Sequence, residues 1–497
     1  MSTKRKIFNQ TIIFSGFTII GSVIGFFFKA YVSYNLGAHL LGIFTLGMVI
    51  IQSFSFFSSL GYGQGLVRFI SKYLVDEDYS HLGRFLKKSV IITFRVSLIS
   101  SFIIFFIPNI FGVFNKDLLS LKNYILYFCI LFFIGSFNSL LNQGIRGLQE
   151  IKYSTITSNI IIIPLKAVIC FYLFSNFGVS LHNYLYSEII TTIMSVVICS
   201  IIFYKIIPKN ALRFSGFIKT EYLIEENNFR KNALLLGIVA LVYSNVDKIL
   251  LTYYFSFTEL GIYGVILTIS HFLPLMLNAV NSIFSPIISQ LNEQKENKEI
   301  ENIFQITARY IIALTIPGLI FLITFSRDIL SIFGPDFTSG SILLILVVFS
   351  HFFNLATGSC GMLLIMTGNE KAHRKIITNA SILSTFIYIV SIPYLGFIGI
   401  GISKIFHNIF TMISILYKIK SILNITLFNK LYIKSLILYL SVSVIMYLIF
   451  SKIVINNNLS LIFNFIIFYV VFLLTTLSIF PKDELRYFLK IVQIKND

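Results

Sequence analysis

Long apolar stretches separated by short polar breaks run through the chain from residue 7 to residue 480. Most are about twenty residues long, the length of helix needed to cross a hydrocarbon layer of roughly 30 Å. Reading between the breaks predicts spans at 7–28, 40–60, 89–110, 121–141, 155–175, 184–204, 232–255 and 260–283, then 304–325, 341–365, 374–394, 397–416, 433–450 and 460–480. The pattern is that of an all-α polytopic membrane protein with about fourteen transmembrane helices. No stretch is left for a soluble catalytic domain.

The polar breaks orient these spans, because cytoplasmic loops carry most Lys and Arg. With the amino terminus inside, alternate segments collect 30 of the 39 basic residues, from Lys4–Lys6 through Arg68–Lys88 and Lys205–Lys231 to Lys482–Lys495. The opposite loops hold about five. A miscount of one span would scramble this alternation, so an even number of spans with both termini cytoplasmic is expected. The formal net charge of +18 is then mainly topological, spread over short segments that face anionic lipid, and it argues against a nucleic-acid partner.

Composition agrees: 56% of residues are hydrophobic, 12% charged, and 53 are Phe, more than a single soluble core could hide. The run from residue 7 to Phe28 follows Lys4, Arg5 and Lys6 like a signal peptide, but it is too long for an h-region and lacks an A-x-A-like cleavage site, so it reads as a retained span. Cys129, Cys170, Cys199 and Cys360 all fall in apolar runs and read as small buried hydrophobes. With no Trp, the interfacial aromatic belt falls to tyrosines at run ends such as Tyr31, Tyr73, Tyr153 and Tyr417.

The chain also resembles itself at an offset of 219 or 220 residues. Leu41-Gly42-Ile43-Phe44 answers to Leu260-Gly261-Ile262-Tyr263, Lys29 to Lys248, Glu150 to Glu370 and Asn159 to Asn379. Six helices per copy is an even number, so both copies enter the membrane in the same direction: two parallel six-helix bundles around a central cavity, with substrate held between them. The expected divisions are an N-terminal bundle at 1–204, a cytoplasmic linker at 205–231, a C-terminal bundle at 232–420, and helices 13 and 14 with the tail at 421–497.

Ionisable residues at membrane depth cost a few kcal/mol each, so they face a water-filled cavity or a partner. Lys166 lies near the middle of its span, where it either lines a cavity or pairs with Glu188 or Asp247. Lys404, His407, Asn408 and Thr411 share one helix face. His271, Asn278 and Asn281 surround Pro274, and His351 and Asn354 lie in the tenth span. For these histidines, packing and ligand contact stay open. Thr11, Ser15, Thr18 and Ser22 lead along the first span to Lys29, either as a close-packing stripe or as a polar path. Asn245, Asp247 and Lys248 lie in the seventh span, with the two charges about 100° apart on the helix and free to face different partners. Arg95 sits toward the cytoplasmic side, where snorkelling competes with a cavity role. Pro164, Pro274 and Pro317 interrupt spans as kinks or hinges.

These residues carry a resemblance. Lys29-x5-Asn35-Leu36-Gly37-x4-Gly42-Ile43-Phe44, Gly61-x3-Gly65-Leu66-Val67-Arg68 and Asn245-Val246-Asp247-Lys248-x11-Leu260-Gly261-Ile262-Tyr263 resemble bacterial polysaccharide flippases of the Wzx type, within the MATE-like superfamily. The resemblance implies transfer of an undecaprenyl-pyrophosphate-linked oligosaccharide to the outer leaflet of the bacterial cytoplasmic membrane, for O-antigen or capsule synthesis. It implies a cationic cavity, suited here by Lys29, Arg95, Lys166, Lys248 and Lys404, with Asn, Ser, Tyr and His for sugar hydroxyls. Asp247 matches the family's recurring acid in helix 7, which leaves a coupling proton or sodium ion open. Membrane lipids and polysaccharide-assembly proteins are the other implied partners.

Two other classes remain. A cation-coupled multidrug exporter of the same fold would line its cavity with acids, and the spans offer only Glu188 and Asp247. A glycan polymerase or ligase would present a long outer loop, and here the longest lies near 326–340. The sequence holds no phosphate-cradling P-loop, metal cluster or nucleophile beside a base, so neither a cofactor nor enzymatic catalysis is expected.

Overall fold

The computed structural model describes residues 3–111, 116–212, 220–450 and 467–472. Among them the regular structure is helical: α1 Thr3–Ser58, α2 Tyr62–Val75, α3 Tyr79–Phe111, α4 Ile125–Gly147, α5 Ile151–Thr155, α6 Ile163–Phe177, α7 Leu181–Ile206, α8 Thr220–Tyr254 and α9 Phe257–Ser270. Then follow α10 Phe272–Glu293, α11 Asn297–Thr324, α12 Ser326–Ser331, α13 Ser341–Ala356, α14 Cys360–Met366, α15 Glu370–Leu395, α16 Phe397–Leu423 and α17 Lys430–Phe450. Eleven helical segments of the described residues are long and apolar enough to cross a membrane, so the chain is a multi-pass membrane protein. Dividing α1 and adding α8 accounts for the first thirteen predicted spans. Most of the fourteenth, at 460–480, lies outside the described residues, as do the basic segment Lys482–Lys495 and the side chains of Thr11 and Ser15.

The breaks have local causes. Gly37 adopts φ 76° and ψ 170°, outside the helical region and open to glycine because it has no Cβ. On one straight helix Lys29 and Phe44 would stand about 22 Å apart, yet the Lys29 Nζ lies 5.1 Å from the Phe44 ring centroid. The chain therefore doubles back at Gly37, and α1 is two predicted spans joined by a one-residue turn. Before α7 the Ser180 Oγ accepts the Asn183 N–H at 3.2 Å, a helix cap. Asn424 closes α16 in the left-handed conformation. The fifth span is one run with a π-helical stretch, Ile156–Ile162, just before Pro164. Proline removes one backbone donor and crowds the preceding turn, and the wider π register relieves both.

By contact the chain forms two compact units, Met1–Gly264 and Val265–Asp497. In the first, the short helix α2 buries Tyr62, Leu66, Phe69, Ile70 and Tyr73 at helical spacing against Leu82 and Phe85 of α3 and Leu140 of α4. The first turns of α8 are tied to the same helices by ion pairs, so the segment at 205–231 that reads as a linker runs into a helix held by this unit. Both copies of the Leu-Gly-Ile-aromatic motif lie in this unit and meet. A Cβ on Gly42 would stand 1.7 Å from the Phe257 carbonyl oxygen, and one on Gly261 would stand 2.0 Å from that of Ala38. In the second unit Phe304, Ile312, Leu363, Leu364 and Tyr432 belong to a core drawn from α10, α11, α14, α16 and α17.

Candidate functional site

The π-helical stretch and Pro164 deliver Lys166 two residues later, facing α7. Its Nζ donates to the Glu188 Oε2 at 2.7 Å, with both side chains largely buried. The pair with Glu188, one of the roles open to Lys166, forms. Glu188, however, lies among two ammonium groups, because Lys29 from the first arm of α1 stands within electrostatic range of both Lys166 and Glu188. Tyr184, one turn before Glu188, touches the rings of Phe28 and Phe44. The group thus carries two cations and one anion in an aromatic surround.

Asn245, Asp247 and Lys248 lie together on α8 but divide their contacts, as the 100° separation allows. Asp247 is buried and accepts a hydrogen bond from the Tyr263 hydroxyl of α9. The Lys248 ammonium turns back along its own helix, donating to the Ser244 carbonyl at 2.6 Å and the Asn245 Oδ1 at 3.2 Å. Phe44 and Tyr263, matched at the 219-residue offset, sit beside different charges: Phe44 beside Lys29 and Tyr263 beside Asp247.

In the second unit, His271 occupies the break between α9 and α10, and His351 of α13 has both His271 and Lys404 of α16 as electrostatic neighbours. The rest of the α16 stripe divides. The His407 Nδ1 lies 3.3 Å from the Ser384 Oγ of α15, and the Asn408 Nδ2 donates to the Ser350 carbonyl of α13 at 2.9 Å. These two join neighbouring helices, whereas the Thr411 Oγ1 has no partner among the described residues. Arg95 is exposed on α3, and Asn278 is exposed on α10.

Sequence reading missed the acids on the first turns of α8. Glu225 pairs with Arg68 at 2.8 Å and with Lys72, and Glu226 accepts from Tyr73 at 2.6 Å and Arg84 at 3.1 Å. The hydrogen bond from Lys72, reinforced by Arg68, holds the Glu225 carboxyl below the usual carboxylate range. The Arg230 guanidinium lies 3.9 Å from the Tyr62 ring centroid and donates to the Tyr62 hydroxyl at 2.9 Å. The basic residues were legible as topology signals. Their partners lie about 150 positions away, a separation at which one sequence carries no pairing signal.

A model of the family described as polysaccharide biosynthesis protein matches residues 7–292. An uncharacterized membrane protein of Methanocaldococcus jannaschii, MJ1068, is 23% identical over 389 residues, 74% of each chain. Among solved structures, the lipid II flippase MurJ in an inward closed conformation superposes with a TM-score of 0.70 at 17% identity, covering 95% of this chain and 99% of that one. An inward-facing multidrug resistance MATE family transporter of the MOP superfamily gives 0.62 at 14% identity, covering 83% and 98%. These structures share the fold that the sequence resemblance implies. Matched by the family model over more than half of its 497 residues, the chain belongs to the polysaccharide biosynthesis protein family.

Proposed function

We propose that the protein is a flippase that carries an undecaprenyl-pyrophosphate-linked oligosaccharide from the cytoplasmic to the outer leaflet by alternating access, in surface polysaccharide synthesis. The observation that carries this reading is the Lys29–Lys166–Glu188 group: Lys166 pairs with Glu188 while Lys29 stands within electrostatic range of both, which leaves one positive charge for a phosphate. Arg95, Lys248 and Lys404 extend the cationic set, and Asn245, His271, Asn278 and His407 are assigned to sugar hydroxyls. Asp247 is the assigned acid for coupling to a proton or sodium ion. In this reading the protein acts by transport rather than catalysis, in the bacterial cytoplasmic membrane with both termini inside, alongside polysaccharide-assembly proteins.

A cation exporter is the weaker reading, because both acids within the spans are already engaged, Glu188 with Lys166 and Asp247 with Tyr263. The decisive variant is the neutral triple K29M/K166M/E188Q, which removes the excess charge without stranding a buried carboxylate. In proteoliposomes it is expected to insert and remain folded but to lose translocation of the lipid-linked glycan. Translocation at the wild-type rate would overturn the assignment.

A further inference from the structure

Away from the charges at membrane depth, Arg68, Lys72, Arg84 and Arg230 meet Glu225 and Glu226 where α2, α3 and α8 of the first unit converge, in the polar breaks outside the predicted spans. The two acids are adjacent on α8 but differently placed. Glu226 is buried, and it accepts from the Tyr73 hydroxyl at 2.6 Å and from the Arg84 Nη2 at 3.1 and 3.2 Å. Glu225 lies at the rim, its side chain 35% exposed. It holds Arg68 and Lys72, which stand one turn apart on α2 with side chains 52% and 35% exposed.

Other contacts fasten α8 here without the rim pair. The Arg230 guanidinium packs on the Tyr62 ring and donates to the Leu60 carbonyl at 3.2 Å, Phe229 packs against Phe69 of the core, and Glu226 is held by Tyr73 and Arg84. Exposed ion pairs contribute little, because water solvates both partners, so Glu225 can leave Arg68 and Lys72 at small cost. Arg68 has its own support: its guanidinium lies 4.9 Å from the Phe229 ring centroid and 5.6 Å from that of Phe69, contacts that do not involve Glu225. A guanidinium and an ammonium that converge on one carboxylate are also the donor set for a phosphate, which brings more oxygens and more charge. We propose that Arg68 and Lys72 form a capture site for a pyrophosphate group on the cytoplasmic face, and that Glu225 occupies it as a built-in competitor until the phosphate arrives.

Competing readings differ in what they expect. A metal cation fits poorly, because the two groups bonded to Glu225 are themselves cations. A phosphodiester headgroup of an ordinary anionic phospholipid brings one charge where a lipid-linked pyrophosphate brings two, and so competes less well with the carboxylate. A purely structural ion pair has the same geometry but gains no anion affinity when Glu225 is neutralised. That the pyrophosphate is carried on a lipid rests on the flippase reading; the convergence of the two donors does not.

The test is calorimetric titration of the full chain, in nanodiscs of zwitterionic lipid, with inorganic pyrophosphate. E225Q is expected to bind it roughly 10-fold tighter than wild type, through the release of two exposed charge contacts. A gain of affinity cannot come from misfolding. Adding R68Q/K72Q to E225Q is expected to abolish that gain, whatever binding occurs elsewhere on the chain. E293Q removes an exposed acid at the end of α10, makes the same change in net charge, and is expected to bind as wild type does. A second arm separates the sources of the group: undecaprenyl pyrophosphate in the nanodiscs should weaken the E225Q titration, and phosphatidylglycerol should leave it unchanged. No gain in E225Q, an equal gain in E293Q, or a gain that survives R68Q/K72Q would each overturn the proposal. Competition by phosphatidylglycerol as strong as that by undecaprenyl pyrophosphate, or no competition by either lipid, would overturn capture of a lipid-linked pyrophosphate. If these titrations fail while K29M/K166M/E188Q still abolishes translocation, this site falls and the flippase assignment stands.

Discussion

Several of the side chains assigned to the site are held by a named neighbour, and the neighbours determine how substitutions behave. Lys166 and Glu188 are side chains 22% and 12% exposed, so their pair is only partly screened by solvent. Removing the cation alone leaves a buried carboxylate that depends on Lys29. K166M is therefore expected to destabilise the protein by on the order of 2 kcal/mol, and adding E188Q to recover most of that loss, as read by thermal unfolding in detergent. A K166M/E188Q protein no more stable than K166M would show that the pair is not what the site depends on. The presence of Lys166 at membrane depth was legible from its place in an apolar run. Its pairing with Glu188 was not, because Glu188 lies 22 positions away on another helix.

Between elements, glycines and ion pairs decide which helices approach. Gly42 and Gly261 bring two helices within backbone contact, whereas Gly135 of α4 has open space where a Cβ would project. G42A is expected to separate the helices and sharply reduce the yield of folded, monodisperse protein. G135A should be neutral or stabilising by up to about 1 kcal/mol, the usual gain of alanine within a helix. Equal yields for the two variants would contradict the packing. The ion pairs on the first turns of α8 make a second prediction. Glu225 titrates lower in the folded protein than in the unfolded chain, so its contribution is full above the ordinary carboxylate value of about 4.3 and is lost as pH falls through the folded value. The melting-temperature difference between wild type and E225Q should thus be largest near neutral pH, shrink at high salt and vanish under acid conditions. A difference unchanged by acid would rule out the pairing. The apolar pattern located α8 only from 232 onward and left α2 within a basic break between spans, and the contacts between the two helices depend on tertiary approach.

For the whole molecule, the topology test is direct. The basic-residue alternation places the loop around Glu296 inside and that around Asp336 outside. The native cysteines are all buried. In intact cells a membrane-impermeant maleimide is expected to label D336C and to leave E296C unlabelled until the cells are lysed. The reverse pattern would invert the orientation.

The sequence by itself determined the helical class and nearly every span. It could do so because hydrocarbon imposes a length and a polarity that each segment satisfies alone. It also showed that cations outnumber acids inside the spans. Only the tertiary structure decided that Lys166 pairs with Glu188 beside Lys29, and that His407 and Asn408 join helices. Those outcomes depend on which helix faces which at hydrogen-bond distance, a quantity that no periodicity along one chain encodes.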